Sequence, residues 1–215
     1  MSLSMFRQIG LVDSSVAEGS YEHEIAAKIF QSLHDLKVDG IVGPKTLRMI
    51  EISDWKNSGP VVSSGFAGFR AESELGDMSL SVAMSEMRAG ASEQGSNNAG
   101  PFVAKYHRMS EPQAAEAAWS WCAAFVSWCI HAAAASMSIC PAYEYTGGAK
   151  RLYRSIAGVT GFKHDPLAGS VVCWNRGSVA WMGHVGIVAA VYGSTYVVIE
   201  GNKGAFPAKV QLFVY

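Results

Sequence analysis

The sequence changes its periodicity near Gly169, and this change constrains the fold more than any other feature. Residues 121–135 form a nearly continuous apolar run with the composition of a buried helix. After Gly169 the chain consists of segments rich in Val, Ile, Tyr and Phe, separated by turns that contain glycine. A helix that precedes consecutive strands indicates an α+β fold with an antiparallel sheet. The predicted strands cover residues 170–175, 184–192, 195–200 and 209–214.

Composition excludes several classes of protein. Of the 215 residues, 49% are hydrophobic and 16% are charged, so a wholly disordered chain is excluded. The net charge of −1, with no cluster of Lys or Arg, argues against binding to nucleic acid, which needs a basic surface. The apolar run at 121–135 is shorter than the ~20 residues of a membrane span, and the first ten residues lack the apolar stretch of a secretory signal. We therefore expect a soluble monomer, made in the cytoplasm, without membrane insertion.

The N-terminal half predicts a small helical unit followed by a linker. Apolar residues at helical spacing predict a helix over residues 21–36, and Pro44 is suited to the first position of a second helix. Gly, Ser and Pro dominate residues 56–76, and a helix is predicted at 79–88. The predicted units are a helical module at 1–55, a linker at 56–76 and a second domain at 77–215.

The segment VDGIVGPKTLRMIE, residues 38–51, resembles the second half of small helical peptidoglycan-binding domains. Those domains share a D-G-x-x-G-x-x-T turn that opens a helix. The resemblance implies that the module binds the bacterial cell wall. The alternative is that Asp-Gly and Gly-Pro serve only as turn residues between two helices.

The four cysteines form no C-x-x-C pair, so neither a disulfide framework nor a zinc site is expected. Ser120 is a candidate helix cap, which makes Cys122 the second residue of the helix. A helix N-terminus favours the thiolate form of cysteine and offers an N–H group to an oxyanion. The alternative is a buried structural thiol, since free cysteine is among the most buried residue types. Cys129, two turns further on the same face, is predicted to belong to the core.

His184 and Glu200 lie on neighbouring predicted strands, and strand geometry decides whether their side chains meet. Side chains on one face recur every second residue. A loop centred on Gly193 sets Asn202 opposite His184, with Glu200 as its diagonal neighbour, whereas a loop centred one residue earlier sets Glu200 directly opposite. An unbulged two-residue turn at 193–194 puts both on the wrong face. A site that contains both His184 and Glu200 therefore requires a loop with an odd number of residues or a β-bulge. Without either, His184 is an ordinary histidine at the end of a strand.

Four segments together resemble the CHAP (cysteine, histidine-dependent amidohydrolase/peptidase) and NlpC-type cell-wall hydrolases. They are WCAAFVSWC at 121–129, GSVVCWNRG at 169–177, GHVGIV at 183–188 and VIEGN at 198–202. NNAGPFVAKY at 97–106, which contains Asn98, resembles the opening segment of phage-type members. The resemblance implies a papain-like fold in which a cysteine, a histidine and a polar residue carry nucleophilic catalysis.

Carried over position by position, the resemblance implies Cys122 as nucleophile and His184 as general base. Glu200 would orient the imidazole, with Asn202 as the alternative or as an additional polar contact. The implied substrate is an amide bond of peptidoglycan, in the muramoyl-alanine linkage or within the peptides. No cofactor is implied, and since the acidic cluster that binds calcium in some relatives is not evident, we expect no metal.

Other residues carry further expectations. Trp119, Trp121 and Asn98 are candidates for substrate binding, although the two tryptophans could equally pack the helix onto the sheet. Cys173 is expected in the core, with a second reactive thiol as the alternative.

The resemblance also implies a biological setting: either a phage lysin released through a holin, or a type VI secretion effector with an immunity partner, acting in the periplasm. Rival functions are acyl transfer or deamidation on another substrate, and a cell-wall-binding module without catalysis.

Overall fold

The computed structural model describes residues 2–8, 16–34, 36–52, 73–162, 164–192 and 195–215. These residues form eight helices and a four-stranded antiparallel sheet in the order β1-β2-β3-β4, which confirms the α+β prediction. The helices are α1 (Ser2–Gln8), α2 (Tyr21–Leu33), α3 (Pro44–Ile52), α4 (Glu74–Arg88), α5 (Pro101–Ser110), α6 (Gln113–Glu116), α7 (Cys122–Ser136) and α8 (Ala149–Thr160). The strands are β1 (Val171–Asn175), β2 (Gly183–Tyr192), β3 (Thr195–Lys203) and β4 (Lys209–Val214).

In the N-terminal unit, α2 ends three residues earlier than predicted, and Pro44 begins α3 as predicted. The helix stops because the N–H of Leu36 donates back to the carbonyl of Gln31, which closes the last turn. The buried Gln31 side chain then holds the following turn, because its Oε1 accepts from the N–H groups of Asp39 and Gly40 at 3.1 and 2.8 Å. The D-G turn is thus anchored to α2. Helix α2 also contacts β4.

Helix α4 begins at Glu74, five residues before the predicted start at Ser79. The Ser73 hydroxyl accepts from the N–H of Gly76 at 3.0 Å and caps the helix. The last residues of the predicted linker are therefore helical, and residues 56–72 lie outside the described residues.

Helix α7 is the central element of the second half. It contacts α4, α5, β2 and β3, and its Phe125 is fully buried against Tyr106 of α5. The Tyr106 hydroxyl donates to Glu86 of α4 at 2.6 Å, so a polar contact links two of the helices around α7. Helices α1, α5, α6 and α8 were not predicted from the sequence, although Pro101 at the start of α5 is a typical helix opener.

The four strands match the predicted segments to within one residue, except that β3 extends three residues past Glu200. The register between β2 and β3 shifts between Val188 and Ala190. Ala189 is therefore the extra residue of a β-bulge, as the sequence argument required. Beyond the bulge Ile187 pairs with Ile199, and continuing this register sets Gly186 opposite Glu200.

None of the described helices is both long and apolar enough to cross a membrane. Within the same residues, no group of three or more His, Cys, Asp or Glu side chains is arranged to hold a metal ion.

Candidate active site

Cys122 is the first residue of α7, one position earlier than predicted. The predicted cap Ser120 is wrong: Trp121 is the N-cap residue, and its carbonyl accepts the first helical bond from Phe125 at 2.9 Å. No side chain caps the helix at this position. Because the first N–H groups of a helix have no partner within the helix, the N–H of Cys122 remains suited to an oxyanion. The Cys122 side chain is 3% exposed.

Trp121 does not line a groove, and this part of the substrate-binding prediction is wrong. Its indole is fully buried and stacks on Tyr106 with ring centroids 5.8 Å apart. A Cβ at Gly201 of β3 would collide with this ring, so glycine lets the indole approach the sheet. The alternative interpretation, that Trp121 packs the helix onto the sheet, is confirmed.

A buried carboxylate that the sequence reasoning missed fixes this arrangement. Glu93 Oε1 accepts from the Trp121 Nε1–H at 3.0 Å and from the Asn98 N–H at 2.9 Å, while Oε2 accepts from the Ala208 N–H at 2.8 Å. Glu93 is 2% exposed. The only sequence signal was an acidic residue in a turn-rich segment, which ordinarily lies in solvent. Glu93 ties the residue before Cys122 to two distant loops.

His184 and Glu200 meet as the strand argument predicted. His184 Nε2 lies 2.5 Å from Glu200 Oε2, and both residues are buried, at 3% and 0% exposure. The other ring nitrogen, Nδ1, is buried and has no hydrogen-bond partner among the described residues. Burial alone would lower the pKa of His184, but interactions with the Cys122 thiol and with Glu200 outweigh it and raise the pKa. The three residues therefore form one electrostatic unit, with Nδ1 left for the thiol.

Asn202 lies in a second irregularity, where the register between β3 and β4 shifts between Glu200 and Lys203. Its φ of 60° is left-handed, a region that asparagine tolerates better than most residues. In the structure it is the Glu200 carboxylate that lies against Nε2 of His184, while the role of Asn202 as an alternative or additional polar contact stays a prediction.

Trp119 and Asn98, the other two predicted substrate-binding residues, differ in how far they are exposed. Trp119 is 50% exposed, three residues before Cys122. Asn98 is half-buried with a left-handed φ of 56°, and its backbone N–H is bound to Glu93. Trp181, for which the sequence analysis gave no role, is 73% exposed and lies three residues before His184.

The remaining cysteines differ from Cys122 in their surroundings. Cys129 is fully buried, and burial raises its pKa well above the usual range, so its prediction as a core residue is confirmed. Cys173 is half-buried against the core. Burial raises its pKa, the charge of Lys150 opposes this, and the neighbouring Cys122 adds to it. Cys140 is exposed.

Residues 112–202 match the family model of the CHAP domain. The matched segment contains Cys122, His184, Glu200 and Asn202 and covers less than half of the chain. The CHAP domain is papain-like, which agrees with the fold class predicted from the sequence. No curated protein and no solved structure matches the chain significantly.

Proposed function

We propose that the CHAP domain at residues 112–202 hydrolyses an amide bond of peptidoglycan, with Cys122 as nucleophile and His184 as general base. The CHAP match supports an amidase or peptidase that acts on this polymer. The observation that carries the residue assignment is the buried His184–Glu200 contact of 2.5 Å, which leaves the Nδ1 of His184 unpartnered beside Cys122. A nucleophile, a base and a group that orients the base are the three parts that such catalysis needs.

The chemistry follows from these positions. His184 Nδ1 accepts the thiol proton, and the Cys122 thiolate forms a C–S bond with the substrate carbonyl carbon. The C=O electron pair moves onto oxygen, where the Cys122 N–H stabilises the negative charge. His184 then gives its proton to the leaving nitrogen as the C–N bond breaks, which leaves a thioester. Water, deprotonated by His184, releases the acid and regenerates the thiol.

Glu200 supports both proton transfers. Its carboxylate accepts the Nε2–H of His184, which fixes the tautomer so that Nδ1 carries the free electron pair. The same carboxylate stabilises the imidazolium that forms when the thiol loses its proton. This assigns an orienting role to Glu200.

Digestion of purified sacculi, followed by mass spectrometry of the released fragments, tests the proposal and identifies the bond. We expect Cys122→Ala and His184→Ala each to lower fragment release by about a thousandfold or more, because removing either group stops the covalent step. Cys140→Ala is the matched control, since that cysteine is exposed, and it should keep full activity. Release that survives Cys122→Ala would contradict the proposal. Modification of protein glutamine without release from sacculi would indicate deamidation or acyl transfer.

The setting and the substrate contacts belong to the same proposal. Trp119, which is exposed near Cys122, is proposed as a wall of the substrate groove, and Asn98 as a polar contact. A cell-wall hydrolase of this kind acts in the periplasm, as a lysin delivered through a holin or as a secreted effector. An effector requires an immunity protein in the producing cell, whereas a lysin does not.

A further inference from the structure

Glu200 uses both of its oxygens, and only one of them contacts His184. Oε2 lies 2.5 Å from the Nε2 of His184. Oε1 accepts a hydrogen bond from the hydroxyl of Tyr215. The Nζ of Lys203 lies 3.5 Å from Oε1 and 3.4 Å from Oε2. A carboxylate with no solvent exposure is thus held from three sides.

The direction of the Tyr215 hydrogen bond is set by Lys203. The Lys203 ammonium, which can only donate, donates to the Tyr215 oxygen. The hydroxyl therefore has its single proton available for Glu200. Burial, followed by the bond to Glu200, raises the pKa of Tyr215, so the phenol keeps that proton at physiological pH.

Tyr215 also reaches His184 through a stack of rings. Its ring lies over Trp174 with centroids 4.7 Å apart and 30° between planes, and Trp174 lies beside His184 at 5.9 Å. Trp174 is the strand partner of His184 in the β1–β2 pair. Tyr215 therefore contacts Glu200 through its hydroxyl and Trp174 through its ring, and both of these residues lie against the imidazole of His184.

We propose that Tyr215, with its proton directed by Lys203, is a positioning residue that locks the Glu200 carboxylate in the orientation in which Oε2 faces His184. This inference rests on the proposed function, because it concerns the same catalytic group. Without the hydroxyl, Glu200 loses the strongest contact to Oε1 and turns about its terminal bonds. The imidazolium of His184 then loses part of its stabilisation, and the thiol loses its base.

The titratable and charged groups that act on the His184–Glu200 pair, or on Cys173 and Tyr215 near it, come from five elements and their ends. They are Cys122 of α7, Lys150 and Arg154 of α8, Cys173 of β1, Arg176 after β1, Lys203 of β3 and Tyr215 after β4. Among these, the described hydrogen bonds and ion pairs to Glu200 are those of Lys203 and Tyr215.

The test is a proton NMR titration of His184 in the full chain, with its imidazole signal assigned by its loss in His184→Gln. The variant is Tyr215→Phe, which keeps the ring and its stack on Trp174 but removes the hydroxyl. Tyr215 is 43% exposed, so this change leaves the core intact. The matched control is Tyr196→Phe, because Tyr196 is the backbone partner of Tyr215 at the same end of the sheet.

We expect the pKa of His184 to fall by about one unit in Tyr215→Phe, since a turned carboxylate stabilises the imidazolium less. In Tyr196→Phe it should not change. Fragment release from sacculi should show a kcat about tenfold lower in Tyr215→Phe with KM unchanged, as expected when the bound substrate is untouched.

A pKa of His184 that is unchanged or higher in Tyr215→Phe would overturn the inference. A tyrosine that served only to pack would leave the titration where it is in the wild type. The two proposals fail separately: if the wild-type chain releases nothing from sacculi, the proposed function is wrong, and the titration still decides the role of Tyr215.

Discussion

At the scale of single residues, two buried histidines have pKa values that shift in opposite directions. At His184, interactions with Cys122 and Glu200 outweigh burial and raise the pKa. At His107, burial lowers the pKa, and the hydrogen bond to the Trp119 carbonyl and the charge of Glu111 do not compensate. Burial thus favours neutral imidazole unless neighbouring groups stabilise the charged form, as Cys122 and then Glu200 do at His184. His184, the proposed general base, is the histidine with such neighbours.

This difference predicts how stability depends on pH. Because the folded pKa of His184 is above the unfolded value, its stabilising contribution is complete below about pH 6.5 and is lost as pH rises through the folded pKa. His184→Gln should therefore cost more free energy of unfolding at pH 6 than at pH 9, by about 1.4 kcal/mol per unit of pKa elevation. Urea unfolding of the wild type and of His184→Gln at the two pH values measures this difference in free energy. The control is His164→Gln, because His164 is exposed, and its cost in free energy of unfolding should differ little between the two pH values. An equal cost of His184→Gln at pH 6 and pH 9 would contradict the prediction.

The proposed catalytic residues could be predicted from the sequence because they lie in local patterns. Cys122 opens an apolar helix, and the period of two along strands relates His184 to Glu200. Glu93 and Tyr215 were not predictable in this way. Two of the three partners of Glu93, Trp121 and Ala208, are 28 and 115 residues away, and neither distance leaves a periodic signal. The contacts of Glu93 and Tyr215 form only when the chain has folded.

At the scale of elements, strand positions were more predictable than helix starts. Segments rich in Val, Ile, Tyr and Phe between glycine-containing turns give the four strands, whereas helix starts depend on single cap residues such as Ser73 and Trp121. The bulge at Ala189 was expected because His184 and Glu200 must share a face of the sheet, and no local sequence pattern predicted it. It shifts the register by one residue and so brings Glu200 to the face of His184.

The register beyond the bulge depends on Gly186. A Cβ there would lie 2.7 Å from the Cγ of Glu200 and 2.9 Å from the backbone oxygen of Ile199, and this backbone cannot move freely. Gly186→Ala should therefore displace Glu200, abolish most of the sacculus activity and lower the free energy of unfolding by about 1–3 kcal/mol, the usual cost of overpacking. Activity assays and chemical denaturation measure both effects.

The control is Gly158→Ala in α8, where an added Cβ meets nothing within 4 Å. Alanine in a helix interior is favoured over glycine by about 0.5–1 kcal/mol, so this variant should be slightly more stable and fully active. If Gly186→Ala retained full activity, the close approach of Gly186 to Glu200 would not matter for the site.

At the scale of the whole molecule, the helical unit at the N-terminus lies outside the CHAP match at 112–202. Its D-G turn resembles that of peptidoglycan-binding domains, but the polar groups of the turn serve its own fold. Gln31 donates to the side chain of Asp39 at 3.0 Å and to that of Thr46 at 3.3 Å. The exposed side chains at the turn include two apolar ones, since Val38 and Ile41 are 52% and 69% exposed. We propose these two side chains as the ones that would contact the wall.

If the unit binds the wall, Ile41→Ser should weaken retention of the inactive Cys122→Ala chain on purified sacculi by about tenfold, the affinity carried by one buried apolar side chain. The matched control is Ile52→Ser at the end of α3, which is 67% exposed but remote in sequence from the turn. A co-sedimentation series at fixed salt measures the affinity of both variants. In the active chain, Ile41→Ser should leave hydrolysis of soluble fragments unchanged, because Ile41 is exposed and lies outside the matched segment that contains Cys122 and His184. Equal retention of Ile41→Ser and Ile52→Ser would show that the D-G turn is only a connection between two helices.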